Sequence, residues 1–193
     1  LGKYNEWLLS FSDKDIRKEV RTQILNILQT YNKDFGCNEK SEFYKNIYEE
    51  TKTTEDLINY YNTAVCLNDF PLLENLLLIL TEKTKDVKYF NEITLLYIKN
   101  TKFDKAEEYV FQSEEINMNQ IDTIYLRALL HYYNQRFDSA LSYLNTFIEK
   151  GGTADNLDLL RGECYYQLKE YNKSIELLEK YYAANPKNLE SLL

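Results

Sequence analysis

The sequence predicts an all-α chain of helix-turn-helix repeats, and three observations predict it. One pattern recurs at a fixed offset of 34 residues without gaps. Apolar residues fall at helical spacing in paired short segments. Five Gly and two Pro in 193 residues are too few for a turn-rich β-sandwich. The expectation is about ten to twelve helices and no sheet.

The repeat is read by aligning Leu126-Arg127-Ala128-Leu129-Leu130-His131 with Leu160-Arg161-Gly162-Glu163-Cys164-Tyr165. The same offset pairs Phe137 with Tyr171, Ala140 with Ser174, Leu141 with Ile175, Leu144 with Leu178 and Phe147 with Tyr181. A further step back brings Thr94, Tyr97, Phe103, Ala106 and Val110 into register. In the last copy, Leu159, Leu160, Cys164 and Tyr165 mark one amphipathic helix, and Tyr171, Ile175, Leu178 and Tyr181 mark the next. Leu168-Lys169-Glu170 leaves room only for a tight turn between them. Asn185-Pro186 ends that copy, because the residue before Pro disfavours helix and Pro cannot continue one. Gly151-Gly152 ends the copy before it.

A small residue midway along each helix lets its partner approach, and an aromatic fills the turn. In that pattern the chain resembles the tetratricopeptide repeat family. Gly162, Tyr165, Tyr171, Ser174, Ile175, Leu178 and Pro186 carry the resemblance in the clearest copy. Ala128, Phe137, Ala140, Leu141 and Leu144 carry it in the second, and Tyr97, Phe103 and Ala106 in the third. The family's usual Trp is replaced by Asp158 and Ile124, and its Leu before the small residue by Arg161 and Arg127. The resemblance covers residues 87–186 and implies a right-handed superhelix.

Residues 54–86 read as a degenerate fourth copy. Thr54-Glu55-Asp56-Leu57 opens a helix with a capping residue and an acidic first turn. Phe70-Pro71 opens the next, with Pro suited to a first turn. Tyr61 and Leu73 take the small-residue places, which requires looser packing. Residues 1–53 depart from the repeat. Ile16, Val20, Ile24, Ile27, Leu28 and Tyr31 share one face of a helix over about 13–31. A loop over 33–40 and a shorter helix over about 41–50 follow, with Tyr44, Ile47 and Tyr48 as its stripe. These helices read as a cap on the open end of the stack, or as the tail of an upstream domain. Residues 187–193 read as the start of a further or capping helix. A chain that opens at Leu1 and stops inside that helix reads as an excised piece or a processed product.

Composition narrows the chemistry. A net charge of −8 argues against nonspecific nucleic-acid binding, which needs phosphate-neutralising Lys and Arg. The most apolar run, Pro71 to Leu80, is half the length a membrane span needs. Cys37, Cys66 and Cys164 are odd in number and lack CxxC spacing, so reduced, packed thiols and a cytoplasmic setting are expected. His131, the sole His, matches Tyr97 and Tyr165 and reads as a packing residue; a pair with Cys164 is conceivable. No phosphate loop, GxSxG or HExxH is present, and no cofactor or metal site is expected. Glu49-Glu50, Glu107-Glu108 and Glu114-Glu115 read as solvated helix faces.

The resemblance implies that the first helix of each repeat lines a concave groove for a peptide or partner helix. The implied partner-binding residues are Leu95, Ile98, Tyr125, Leu129, Tyr132, Tyr133, Leu159 and Tyr166. Around them, at further groove positions, stand Lys88, Asn91, Lys99, Asp122, Asn156, Glu163 and Gln167. The Lys, Asn and Arg set with which some members clamp a C-terminal carboxylate is missing. Tyr suits an interface, with a rigid apolar ring and a polar tip. With 18 Tyr in the chain, the alternative is that these rings only pack neighbouring helices. The expected function is a non-enzymatic scaffold for another protein or peptide, or for a second copy of itself. Two alternatives stand beside it. One is an accessory docking or dimerisation domain of a larger enzyme, such as a bacterial glycosyltransferase. The other is a peptide-sensing regulator separated from a DNA-binding domain.

Overall fold

The computed structural model describes residues 16, 19, 20, 23 and 36–186. Among the described residues there are nine α-helices, one short 3-10 turn and no strand. The helix expected over about 13–31 lies mostly outside them; Ile16, Glu19, Val20 and Gln23 are helical. The segment from Lys187 also lies outside. The chain divides into two compact units, residues 1–85 and 86–193.

In the first unit α1 spans Cys37–Thr51, α2 Thr54–Ala64 and α3 Phe70–Thr84, with the 3-10 turn Val65–Leu67 after α2. Helix α1 starts inside the stretch expected to be a loop. Extended Gly36 takes the N-cap, and Glu39 places a negative charge in the first turn, where the helix dipole favours it. Helix α2 starts as expected, but its cap is Thr53. The Thr53 hydroxyl accepts from the Asp56 amide at 3.1 Å and donates to the Asp56 carboxylate at 2.7 Å. The Thr51 hydroxyl donates to the same carboxylate at 2.7 Å, which satisfies a buried acid. Asp69 caps α3 by accepting from the Leu72 amide, with Pro71 in the first turn. Leu57, Ala64, Leu73, Leu76, Leu77 and Leu80 are buried, and Phe43 and Ile47 form a cluster with Tyr44.

The cysteine expectation is corrected here. Cys37 and Cys66 form a disulfide, with Cα atoms 5.9 Å apart. It joins the start of α1 to the 3-10 turn. The two positions are 29 residues apart and meet only because α1 packs back along α2. Cys164 remains a buried thiol.

The second unit holds α4 (Val87–Lys99), α5 (Phe103–Asn117), α6 (Ile121–Tyr133), α7 (Phe137–Glu149), α8 (Leu157–Gln167) and α9 (Tyr171–Ala184). They pack as the pairs α4/α5, α6/α7 and α8/α9, and α6 also meets α4 and α5 while α8 meets α7. The small-residue register is visible in burial. Thr94, Ala128 and Gly162 on the first helices, and Ala106, Ala140 and Ser174 on the second, are all buried. The Thr94 hydroxyl is satisfied by donating to the Phe90 carbonyl at 2.7 Å. A Cβ on Gly162 would lie 2.8 Å from the Leu178 side chain, which would have to shift to admit it, so α8 and α9 meet closely there.

Each pair turns in the same way. Thr101, Gln135 and Lys169, 34 residues apart, all have left-handed backbones, with φ of 55°, 58° and 65°. In each turn, two successive amides donate back to carbonyls at the end of the first helix: Thr101 to Ile98 and Lys102 to Tyr97, Gln135 to Tyr132 and Arg136 to His131, Lys169 to Tyr166 and Glu170 to Tyr165. The period thus appears in the backbone as well as in the side chains.

One member of each of two acidic pairs is also corrected. Glu107 and Glu114 on α5 are not simply solvated: Arg127 of α6 is paired with both. It contacts Glu107 through Nη1 and holds Glu114 with Nε at 2.9 Å and Nη2 at 2.5 Å. Arg127 is only 12% exposed. Glu108 and Glu115 are exposed, as expected.

Candidate binding face on α4, α6 and α8

Two clefts of the second unit collect most of the candidate residues. The first, of about 560 Å³, is lined by Lys88, Asn91, Glu92, Leu95, Gln120, Asp122, Tyr125 and Leu126. The second, of about 710 Å³, is lined by Tyr132, Tyr133, Gln135, Phe137, Glu163, Tyr166, Gln167 and Leu178. Leu95 and Tyr125 therefore share one cleft, and Tyr132, Tyr133 and Tyr166 the other. Ile98 and Leu129 are buried and line neither. Leu159 is half-buried and also lines neither.

In the first cleft the wall contains a buried polar knot. Asn91 Oδ1 accepts from Ser113 Oγ at 2.6 Å and Thr123 Oγ1 at 3.0 Å, and those hydroxyls lie 2.9 Å apart. Asn91 is 7% exposed, and its Nδ2 has no hydrogen-bond acceptor among the described residues. A buried donor left unpaired costs stability, so this knot is less stabilising than its two accepted bonds suggest. Tyr125 donates to Asn156 Oδ1 at 2.7 Å and packs on Phe147, with centroids 4.9 Å apart. Burial raises its phenol above the ordinary range, opposed by the Asn156 bond.

In the second cleft Tyr132 donates to Glu163 Oε2 at 2.5 Å. Burial, and then that bond and the carboxylate charge, push the Tyr132 phenol well up, so it stays a donor. Tyr133 stacks on Phe103 at 5.3 Å yet is 46% exposed, and Tyr166 is 57% exposed. The hydroxyls of Tyr125 and Tyr132 are thus committed to the next repeat, while Tyr133 and Tyr166 present open rings.

His131 stacks on Tyr143 at 5.2 Å, and at the equivalent place in the preceding copy Tyr97 packs on Tyr109 at 5.6 Å in a tilted arrangement. Cys164 is buried with Ala140 and Leu141, and burial, then Glu163, pushes its thiol to about 11. A thiol held protonated is a poor nucleophile. Among the described residues no group of three or more His, Cys, Asp or Glu side chains gathers to hold a metal ion. No helix among them is long and apolar enough to cross a membrane. Sequence reasoning missed Glu92, Gln120 and Leu126 in the first cleft and Gln135, Phe137 and Leu178 in the second. Phe137 was legible only as a turn filler, and Leu178 comes from a second helix, outside the set that a first-helix groove implies.

Residues 125–188 match the tetratricopeptide repeat family model. The chain is 29% identical over 154 residues to the TPR repeat-containing protein MJ1428 of Methanocaldococcus jannaschii, covering 77% of this chain and 26% of that protein. The chain therefore spans about a quarter of that relative's length. Among solved structures, MamA from Desulfovibrio magneticus RS-1 superposes with a TM-score of 0.69 at 9% identity, over 88% of this chain and 95% of that one. YrrB, titled a TPR protein with an unusual peptide-binding site, gives 0.63 at 16%, over 89% and 88%. PilF of Pseudomonas aeruginosa gives 0.64 at 17%, over 97% and 91%. The fold is that of the tetratricopeptide repeat proteins, and over residues 125–188 the sequence matches the repeat family itself.

Proposed function

We propose that the chain is a non-enzymatic interaction scaffold holding a peptide or partner helix along the face of α4, α6 and α8. The observation that carries this is the pair of clefts lined largely by first helices of consecutive repeats, with half-exposed Tyr133 and Tyr166 in one. Rigid rings beside satisfied polar groups suit an anchor-and-rim interface. That YrrB is titled for peptide binding supports the same reading by fold likeness alone. A photo-crosslinking residue tests it, placed at Tyr166 or at Ile148 of α7, an exposed position outside both clefts. The reading expects the same purified partner to couple at position 166 and not at 148; equal coupling at both contradicts it.

A second reading has its own support. The chain spans a quarter of its archaeal relative, so the unit fits a docking or dimerisation part of a larger protein. Light scattering on the second unit with and without flanking sequence separates self-association from binding of another chain. For compartment, a cytoplasmic setting expects Cys37 and Cys66 to be found reduced, since disulfides persist in oxidising compartments. Thiol labelling of the protein in intact cells decides it.

A further inference from the structure

We propose that the cleft between α6 and α8 takes a lysine or arginine side chain of the bound partner. This rests on the scaffold reading above and specifies what one of its clefts recognises. The rings of Tyr132, Tyr133, Phe137 and Tyr166 line the cleft, and among the described residues Glu163 is its one charged lining residue. The rings stand at different angles: Tyr132 meets Tyr133 edge-on at 5.3 Å and Phe137 edge-on at 6.2 Å. A cation in such a cleft meets ring faces, whose negative quadrupole attracts it. Glu163 is held in place by the Tyr132 hydroxyl, and no Lys or Arg among the described residues is ion-paired with it. A carboxylate that has accepted one hydrogen bond has lone pairs left for an ammonium or guanidinium group. An anionic partner is opposed both by Glu163 and by the chain's net charge of −8. Gln135 and Gln167 at the rim supply amide oxygens for the remaining N–H groups.

The test is an NMR titration of the second unit's aromatic resonances within the intact chain, with two matched probes. One is acetyl-leucyl-lysyl-leucine amide and the other its norleucine counterpart, which keeps the aliphatic stem and lacks the ammonium. The lysine probe should bind at least about fivefold more tightly and shift the Tyr132, Tyr133 and Tyr166 signals. Glu163→Gln should remove most of that preference. Tyr166→Leu keeps apolar volume but removes a ring face, and should weaken the lysine probe more than the norleucine one. Equal affinity for both probes overturns the cation inference and leaves the groove reading standing. Silence from both in a folded chain also overturns it, and the crosslinking comparison then judges the groove separately.

Discussion

Tyr132 on α6 donates its hydroxyl hydrogen to Glu163 on α8 at 2.5 Å, and Tyr125 on the same helix donates to Asn156 at 2.7 Å. Both bonds span 31 residues, so one helix is stitched to the next repeat at two points a heptad apart. A bond to a carboxylate is among the stronger neutral-donor contacts. Tyr132→Phe should therefore cost about 1–2 kcal/mol in urea unfolding. Glu163→Gln should cost less once Tyr132 is already Phe. Additive losses in that double-mutant cycle would show the bond to be absent in solution.

Close packing, at a helix contact and in the loop after α7, should make two positions intolerant. Ala140→Phe overpacks a fully buried site, and Gly152→Ala drives a Cβ into the ring of buried Phe147. Each should cost about 1–3 kcal/mol, read as a lowered denaturation midpoint. If Ala140→Phe unfolds like the parent, the repeat register is wrong.

The recurring left-handed residue makes an opposite prediction. Thr101 is β-branched with φ of 55°, a conformation costly for any residue with a Cβ. Thr101→Gly should stabilise by about 0.5–1 kcal/mol despite the greater freedom of Gly when unfolded. A lower melting temperature for this variant would contradict the turn geometry.

His131 gives the second unit a pH dependence of definite sign. Burial, and then Arg127, hold its imidazole below the usual 6.5, so the fold favours the neutral ring. The unfolded chain takes up the proton first as pH falls. The stabilising contribution is thus fully present above 6.5 and is lost as pH falls toward the lower folded value. His131→Tyr, the residue type found at the matching positions Tyr97 and Tyr165, should flatten that slope in melts across the ordinary imidazole range, from about pH 7.5 down to about 5. An unchanged slope in this variant would assign the pH dependence to other groups.

The disulfide closes a loop of 29 residues in sequence. Loop-closure entropy assigns it about 3.5 kcal/mol. Reduction, or Cys66→Ser, should lower the stability of the first unit by that order, seen as faster amide exchange in α1 and α2. Unchanged exchange after reduction would show that the cross-link contributes nothing there.

The repeat was legible because two local demands write it into sequence: small residues where helices approach and aromatics where they turn. Gly162, Ala140 and Phe137 satisfy both at the expected spacing. What was hidden depends on tertiary neighbours. Cys37 and Cys66 meet only once α1 lies along α2, and Arg127 reaches Glu107 and Glu114 only once α6 packs on α5. Ile98 and Leu129 read as groove residues by position, yet both are buried and line neither cleft. Tyr125 and Tyr132 each find a hydroxyl partner 31 residues on, in the next repeat, while Tyr133 has none there among the described residues, which periodicity does not encode.

On the proposed function, the face of α4, α6 and α8 binds through exposed rings rather than merely packing repeats. The most direct measurement is one melting curve and one titration on Tyr133→Ala/Tyr166→Ala, using the partner captured at position 166. Ring-mediated binding gives near-parental helicity and an affinity lowered by about 2 kcal/mol or more, some thirtyfold. Unchanged affinity in a folded double mutant would contradict it.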